Sequence, residues 1–475
     1  MGKNENRQDK GEMRALLKNY QRLKDGVGGV FIEEDGFEQI ADYYIENEHF
    51  QAALEAAEMG FSQYPYSAGL LVLRSESLIA LRRYQESLFF LEKAEWLDRN
   101  EANIYILRTE ALLALDRQEE AAALLEAVID QFEGDEKINL LFELTDVYDD
   151  YEDFNKVFDC LRLILLQDPH NEEALYKICF WTDYTGRNEE GIVLHQQIID
   201  ENPYSELAWF NLGAAYQGIK LYEKAIDAYE YAVAINEKFD YAYRNIGDAY
   251  IRLRKYKEAI EALEKVLVLS MPEAVIYEAI GHCYDKQKNY AQARFNYKKA
   301  SHLNPEDSQL HYKIAGTYMS EQNWQNAIKS LNIALKFHLL QPEYNLALGR
   351  CYLAMENYDE AITFLGNVVR VRPKHTNGWI ELLNCLFEAE MFEEGFEYAA
   401  MAFENTATKP IFVYYKSAFL FAAGKFQQAL IYLEHALKAN SKLMKKFVEI
   451  NPSFLQHQQI VELLARYKKS RNTKK

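Results

Sequence analysis

The sequence has 475 residues, of which 49% are hydrophobic, 27% charged and 14% aromatic, and its 53 basic and 73 acidic side chains give a net charge of −20. No stretch approaches the roughly 18 consecutive apolar residues of a membrane-spanning helix, and so much apolar material can bury a large core, so disordered, collagen-like and membrane-spanning classes are excluded. Nine prolines and 21 glycines are too few for a loop-rich multidomain chain and favour a mostly helical array.

Residues 1–33 predict a basic amphipathic helix followed by a glycine-rich linker. Residues 1–25 carry seven basic and four acidic side chains. The apolar side chains of this segment recur at helical spacing and form one stripe: Met13, Leu16, Leu17, Tyr20 and Leu23. The first residues contain no apolar core of the kind that a secretory signal needs, and we expect a cytoplasmic protein. Five cysteines, none in a CxxC pair, make disulfides and a zinc site unexpected.

A period of 34 residues dominates the rest of the chain. An aromatic residue followed three positions later by a small residue recurs along it, and two weaker copies fill the gaps. The small residues are Ala53, Ser87, Ala121, Val157, Gly191, Ala225, Ala259, Ala293, Ala327, Ala361, Gly395 and Ala429. Ten of the eleven intervals between them are 34 residues and one is 36. Such a period indicates a repeat architecture, with copies starting near residues 34, 68, 102, 138, 172, 206, 240, 274, 308, 342, 376 and 410.

Each copy predicts two helices that each bury one stripe. In residues 206–239 the first helix carries Trp209, Leu212, Gly213 and Tyr216, and the second carries Ala225, Tyr229 and Ala232, at spacings of three and four. The small residues mark places where two helix axes approach closely. A larger side chain there would force the helices apart, at a cost of roughly 1–3 kcal/mol.

This pattern resembles the tetratricopeptide repeat family, most clearly in the copies AWFNLGAAYQGIKLYEKAIDAYEYAVAINE and AVIYEAIGHCYDKQKNYAQARFNYKKASHLNP. The resemblance covers residues 34–443. It implies an all-α, right-handed α-α superhelical solenoid of about twelve helix-turn-helix repeats, whose first helices line a concave groove. Copies at 68–137 and 172–205 depart from the pattern, with Arg74, Arg108 and Thr182 where apolar residues are usual.

Residues 444–475 predict a capping helix and a basic tail. The apolar residues Phe454, Leu455, Ile460, Val461, Leu463, Leu464 and Tyr467 suggest a final helix that covers the last repeat, as an open array requires. The tail KKSRNTKK follows it. Residues 441–475 hold nine basic and two acidic side chains, so an acidic solenoid lies between basic ends.

The resemblance implies that outward positions of the first helices contact a protein partner. Middle copies present there the candidate groove residues Tyr176, Lys177, Phe210, Asn211, Arg244, Asn245, Asp248, Arg252, His282, Lys286, Lys313 and Arg350. Early copies present carboxylates: Glu38, Asp42, Glu76, Glu110, Glu143, Asp146, Asp149 and Asp150. The first portion should therefore prefer basic segments and the second acidic or mixed ones. Ordinary solvated helix surface is the alternative for both sets.

The sharpest acidic feature is the segment 133–159, in which Glu143, Asp146, Asp149 and Asp150 form a candidate docking patch for a basic partner. A solvated helix face is again the alternative. No loop shows the alternating carboxylates and glycine of an EF-hand, so no metal site is expected.

No nucleotide-cradle, hydrolase-elbow or zinc-protease motif occurs, and we expect neither an enzyme, a cofactor nor a small-molecule substrate. His195 replaces an aromatic residue on a packing face, which favours a core role over a catalytic one. The sequence predicts a scaffold that binds a peptide or helical segment of a partner protein. The alternative is a regulatory or recruiting subunit of an enzyme complex, tethered through its basic ends to RNA or an anionic membrane surface, with the C-terminal tail as the candidate contact.

Overall fold

The computed structural model describes residues 2–27 and 29–472, with the side chains of 12–27 and 29–467, and no strand occurs among these residues. The chain divides into two compact units, residues 1–249 and 250–475. In each unit, consecutive helices pack against each other as antiparallel hairpins that stack on the next hairpin along the chain. The predicted all-α array of helix-turn-helix repeats is thereby confirmed.

The first unit begins with one N-terminal helix, after which first and second helices alternate. Its helices are α1 (Gly2–Lys24), α2 (Glu34–Glu46), α3 (Phe50–Gln63), α4 (Ala68–Ala80), α5 (Tyr84–Leu97), α6 (Ala102–Leu113), α7 (Gln118–Val128), α8 (Gly134–Asp150), α9 (Phe154–Gln167), α10 (Glu172–Tyr184), α11 (Asn188–Glu201), α12 (Glu206–Gly218) and α13 (Tyr222–Ile235). A 3-10 turn, Ile129–Gln131, follows α7, and α14 (Asp240–Arg252) runs through the division between the units.

The second unit continues the alternation and ends in short elements that close the stack. Its helices are α15 (Tyr256–Leu269), α16 (Ala274–Lys286), α17 (Tyr290–Leu303), α18 (Ser308–Ser320), α19 (Trp324–Phe337), α20 (Pro342–Ala354), α21 (Tyr358–Val371), α22 (Thr376–Glu388), α23 (Phe392–Asn405), α24 (Pro410–Ala422), α25 (Phe426–Asn440), α26 (Met444–Ile450) and α27 (Gln458–Asn472). The 3-10 turns Ser441–Leu443 and Pro452–Gln456 flank α26.

The turn between the two helices of a hairpin has the same geometry along the chain. One residue there adopts the left-handed conformation, for example Lys220 at φ 62° and Gly186 at φ 70°. The amide of the next residue reaches back across the turn, as Leu221 donates to the carbonyl of Tyr216 at 2.9 Å. This bond satisfies a carbonyl at the end of the first helix and fixes the direction in which the second helix leaves. Most copies have a residue other than glycine at this position, although only glycine adopts the left-handed conformation without strain.

The predicted close approaches occur where the sequence places glycine. A Cβ at Gly213 would lie 2.6 Å from the ring of Tyr229, and one at Gly281 would lie 2.7 Å from the ring of Tyr297. Gly349 is in the same position, and a Cβ there would lie 2.6 Å from the side chain of Leu365. In these three hairpins the first helix therefore rests directly on a large residue of its own second helix.

The copies that depart from the repeat pattern still pack, because their polar residues find partners. The guanidinium of Arg74 forms an ion pair with Glu58 at 2.7 Å and lies 3.8 Å from the ring centre of Phe90. Arg108 forms an ion pair with Glu95 at 2.6 Å. The buried hydroxyl of Thr182 donates to the carbonyl four residues earlier in its own helix.

One repeat starts earlier than the sequence predicts. Helix α8 begins at Gly134, four residues before the expected start near 138, and contains 17 residues. Gly134 adopts φ 60° and ends the irregular segment after the 3-10 turn. The two extra residues of the 36-residue interval are accommodated by lengthening α8 at its N-terminus, so the rest of the hairpin keeps its register.

Helices at both ends of the chain cover the apolar faces of the terminal hairpins. Tyr20 of α1 is buried and meets the ring of Phe37 edge-on, with 6.4 Å between ring centres. At the other end, Phe447 and Phe454 are buried and their rings stack, with 5.1 Å between centres. The core there also includes residues of α24, α25 and α27. Without these ends, the outer hairpins would expose their packing faces to water.

Two residues of the predicted C-terminal apolar set point outward. Leu455 and Val461 are 45% and 43% exposed, whereas Ile460 and Leu464 are buried. The sequence predicts all four in one final helix, but Leu455 lies in the 3-10 turn Pro452–Gln456 before α27. Within α27, Val461 directly follows Ile460 and so lies on another side of the helix.

Candidate functional site

The first helices of successive hairpins lie side by side, and their exposed sides form what we call the first-helix face. In the first unit, α2 packs on α4, α4 on α6 and α6 on α8, and α10 packs on α12. Residues 34 positions apart therefore become neighbours on this face, with 36 positions across the one longer interval. Side chains at one register position can thus form a continuous line along several hairpins.

A line of carboxylates occupies one such register position in the first four hairpins. We call Asp42, Glu76, Glu110 and Asp146 the acidic ladder. Among residues 12–27 and 29–467, no basic side chain forms an ion pair with Asp42, Glu76 or Glu110. The sequence predicts each of these carboxylates on the outward side of a first helix, and the packing of the first helices brings them together.

The ladder aligns like charges on a partly exposed surface, where Glu76 is half-buried and Asp42, Glu110 and Asp146 are exposed. Burial raises the pKa of Glu76, and the charges of Asp42 and Glu110 raise it further. Burial also raises the pKa values of Asp42 and Glu110. A cation brought close to Glu76 would offset the repulsion from Asp42 and Glu110.

Two of the four carboxylates in the docking patch predicted from the sequence, Glu143 and Asp146, lie close together. Burial raises the pKa of Glu143, followed by the charges of Asp146 and Glu110, while Lys177 opposes them. Asp146 is exposed and lies 3.7 Å from the ammonium of Lys177. Asp149 and Asp150 are exposed in the last turn of α8. Glu143 and Asp146 thus continue the ladder, and the other two carboxylates lie farther along α8.

Three exposed aromatic side chains follow the acidic ladder on α10. Tyr176, Phe180 and Tyr184 are 63%, 60% and 59% exposed, and we call them the aromatic stripe. The rings of Phe180 and Tyr184 stack, with 5.6 Å between centres. The sequence analysis found only Tyr176. The spacing of four residues between the three rings was the signal that could have revealed the other two.

The remaining candidate groove residues of the first unit make contacts within the fold. Phe210 packs on Phe239, with 5.0 Å between ring centres. Asn245 donates to the hydroxyl of Tyr229 at 3.3 Å, and Asp248 accepts from the amide of Gln217 at 3.1 Å. The guanidinium of Arg244 lies 5.8 Å from the ring centre of Tyr241. These groups are half-buried.

The prediction that Asn211 faces the groove is wrong. Its side chain is 3% exposed, and its amide donates to the carbonyl of Leu175 at 2.7 Å. The amide therefore holds α12 to α10 rather than facing a partner. The sequence could not separate these roles, because one helical step rotates a residue from the outward side into the contact with the neighbouring repeat.

In the second unit, a cavity of about 440 Å³ opens on the first-helix face of α16, α18 and α20. Its lining includes Tyr312, Lys313, Gly316, Met319 and Arg350. A Cβ added at Gly316 would meet no atom within 4 Å, so the missing side chain leaves room in the groove. Two of the candidate groove residues, Lys313 and Arg350, thus line one cavity.

Both cations of this cavity are already paired. Lys313 forms an ion pair with Glu278 of α16, and Arg350 donates two hydrogen bonds from Nε, at 3.0 and 2.8 Å, to the carboxylate of Glu381 in α22. Two further candidates, Lys286 of α16 and Arg252 of α14, are exposed. Burial lowers the pKa of His282, and the charges of Lys286 and Lys313 lower it further.

Groups with catalytic potential are dispersed. His195 is fully buried on α11, and neither ring nitrogen has a hydrogen-bond partner. Cys283 is buried and burial raises its pKa to about 12, so this thiol resists ionisation at neutral pH. Among the described residues, no three His, Cys, Asp or Glu side chains are gathered as metal ligands would be. None of the described helices has the length and apolar character needed to cross a membrane.

The predicted basic tail, residues 468–475, lies outside the residues whose side chains the structure describes. Its predicted contact with RNA or an anionic membrane surface therefore stays a prediction.

Two family models match the sequence. The model of the tetratricopeptide repeat protein 21 C-terminal ARM domain matches residues 219–346, and a tetratricopeptide repeat model matches residues 342–375. No curated protein matches it.

Several solved structures are similar to this chain. The C-terminal part of a TPR repeat-containing protein from Cytophaga hutchinsonii is 15% identical with a TM-score of 0.45, covering 54% of this chain and 99% of that chain. PilF of Pseudomonas aeruginosa is 19% identical with a TM-score of 0.37, covering 49% and 99%. YrrB, a TPR protein with an unusual peptide-binding site, is 20% identical with a TM-score of 0.35, covering 39% and 95%.

Proposed function

This chain is a tetratricopeptide-repeat protein, and from that premise we propose that it is a non-enzymatic scaffold whose first-helix faces bind a peptide or helical segment of a partner protein. The observation that carries the proposal is the cavity at Gly316. It is open to solvent, and it combines an aromatic ring, a thioether and two cations in one concave space. Peptide side chains bind in recesses of this composition, where apolar contact supplies affinity and charge selects the ligand.

The charges around the cavity are of both signs and favour a segment of mixed charge. Lys313 and Arg350 line it beside the carboxylates Asp285 and Glu343. A carboxylate on the ligand could share Arg350 with Glu381, because a guanidinium carries five donors. Of the candidate groove residues, Lys313 and Arg350 act at this cavity in the proposal, and Asn211 is removed from the candidates because its amide donates to the carbonyl of Leu175.

The test is affinity capture of partners with the full chain and a variant that fills the cavity. Gly316→Trp places a large ring in the groove, where an added Cβ meets no atom. Gly366→Trp is a matched control, because Gly366 lies within the second helix α21 and its added Cβ also meets nothing within 4 Å. We expect Gly316→Trp to lose partners that Gly366→Trp retains, with unchanged helical circular dichroism. Equal capture by both variants would contradict a binding role for the cavity.

We also propose a division of the chain into a binding array, 34–443, and two end segments, 1–33 and 444–475. The burial of Tyr20 against Phe37 supports a covering role for the first segment, and the burial of Phe447 and Phe454 supports one for the last. Separate deletions of the two ends should lower the thermal midpoint of unfolding without removing partner capture by the groove.

We place the protein in the cytoplasm as part of the same proposal. The five cysteines are free thiols, and four of them are buried. A compartment that keeps thiols reduced suits such a chain, because none of its cysteines needs an oxidised partner. Imaging of a fluorescent fusion in the native host tests the location.

A further inference from the structure

The aromatic stripe of α10 is an unpartnered helix face that borders the acidic ladder. Its three rings lie on one side of α10 and keep about 60% of their surface exposed. The ring of Phe180 is also edge-on to Trp181, with 4.9 Å between centres, so it is held in place while remaining accessible. A contiguous apolar surface of this kind is typical of a site that a partner covers.

The ladder and the stripe form one surface because α8 and α10 are joined across their outward sides. The ammonium of Lys177 on α10 lies 3.7 Å from the carboxylate of Asp146 on α8. It also lies 5.1 Å from the centre of the Phe142 ring on α8. Phe180 follows Asp146 by 34 residues and so occupies the next position of the ladder. The surface therefore presents four carboxylates in a row and then a ring.

The spacing of the row restricts what can bind along it. Packed helices lie about 8–10 Å apart, so successive ladder carboxylates recur at about that distance. A polyproline II segment rises about 3.1 Å per residue with three residues per turn, so every third side chain returns to one face after about 9 Å. In a β-strand the side chains on one face recur after about 6.6 Å, so within two hairpins they would no longer lie opposite the ladder carboxylates.

We propose that the acidic ladder and the aromatic stripe bind a basic partner segment in the polyproline II conformation, with lysine or arginine at every third position. The basic side chains pair with Asp42, Glu76, Glu110 and Asp146 in turn, and a terminal guanidinium lies against the ring of Phe180. Aromatic faces attract such cations, and crowded carboxylates lose their repulsion when cations arrive. This inference rests on the proposed use of the first-helix faces and adds the chemistry of the partner.

Binding of synthetic peptides to the full chain tests the proposal. The probe is a fluorescein-labelled, proline-containing peptide with five arginines at every third position, four for the carboxylates and one for Phe180, and its comparison peptide has the same composition with the arginines in one block. We expect the spaced peptide to bind at least about fivefold more tightly in fluorescence anisotropy. The variant Glu76→Gln/Glu110→Gln should weaken its binding by about tenfold, the effect of roughly 1.4 kcal/mol. Phe180→Ala should weaken it by about threefold or more.

Matched variants separate this site from the general charge of the protein. Glu92→Gln/Glu223→Gln removes the same charge from the second helices α5 and α13, and Phe89→Ala removes a ring of α5 that is 53% exposed. We expect these controls to bind the spaced peptide as the unchanged protein does. Circular dichroism confirms that every variant is folded.

Three results would overturn the inference. The first is equal affinity for the spaced and blocked peptides, and the second is an equal loss in the control carboxylate variant. The third is absence of peptide binding together with self-association that Glu76→Gln/Glu110→Gln abolishes in sedimentation, which would make a second copy the occupant. None of these results involves Gly316, so loss of captured partners in Gly316→Trp would still support the proposed function.

Discussion

His195 provides a test of how the stacked hairpins are stabilised. It lies on α11 at the position that Leu161 occupies one repeat earlier and Tyr229 occupies one repeat later, and all three side chains are buried. Leu161 brings no polar atom into the core, and the hydroxyl of Tyr229 has a hydrogen-bond partner. Both ring nitrogens of His195 lack one. Replacing His195 with leucine should therefore stabilise the protein.

The magnitude follows from the unpaired imidazole. Burying a polar group without a hydrogen bond costs about 1–3 kcal/mol, and leucine of similar volume removes that cost. His195 has two such nitrogens, and imperfect packing of leucine offsets part of the free energy gained by removing them. We therefore expect His195→Leu to stabilise the α11 region by about 1–3 kcal/mol at pH 7.5.

The dependence of this gain in stability on pH is a stricter test than its size at one pH. Burial lowers the pKa of His195 to about 3, against 6.5 for an unperturbed imidazole. Between these values the unfolded chain binds a proton that the folded chain does not, so stability falls as the pH drops below 6.5. At about 1.4 kcal/mol per pKa unit, this loss reaches about 2 kcal/mol at pH 5. His195→Leu lacks the loss, so its advantage should grow by about 2 kcal/mol between pH 7.5 and pH 5.

Hydrogen exchange of the native protein is the suitable assay, because a long repeat array does not unfold as one two-state unit. The free energy of opening is measured for amides of α11 at both pH values, with α21 of the second unit as an internal reference. His435→Leu, which changes an exposed histidine of α25, is the control. An advantage that is the same at both pH values, or a destabilised α11, would refute the reasoning.

Three further predictions concern other positions. In hydrogen exchange of the affected hairpin, Gly213→Ala should lower the free energy of opening by roughly 1–3 kcal/mol, because its Cβ would lie 2.6 Å from the ring of Tyr229. Gly316→Ala should raise this free energy in its own hairpin by about 0.5–1 kcal/mol. Lys220→Gly should stabilise by about 0.5–1 kcal/mol in the same assay, because Lys220 adopts φ 62°. Glu76→Gln should raise the thermal midpoint slightly while it weakens peptide binding, because burial and neighbouring carboxylates raise the pKa of Glu76 and make its charge destabilising. A fall in the midpoint would contradict this account.

The sequence determined the repeat and most of the local structure. A period of 34 residues, read on small and aromatic positions, was enough to predict two helices per copy and the all-α stack. Glycine at positions such as 213 and 281 also identified where helix axes approach, because the structure leaves no room for a Cβ there. These features depend on interactions within one hairpin, and the helical period records them directly.

Only the tertiary structure decided which side chains meet across neighbouring hairpins. Asn211 is buried against the carbonyl of Leu175, and Arg350 is paired with Glu381, although the pattern places both residues outward. The packing of neighbouring hairpins also brings Glu76 next to Glu110, and it places Phe180 at the position of the ladder that follows Asp146. A helical period gives the direction of a side chain within its own helix. The approach of the adjacent repeat depends on how the two faces pack, and no single repeat contains that information.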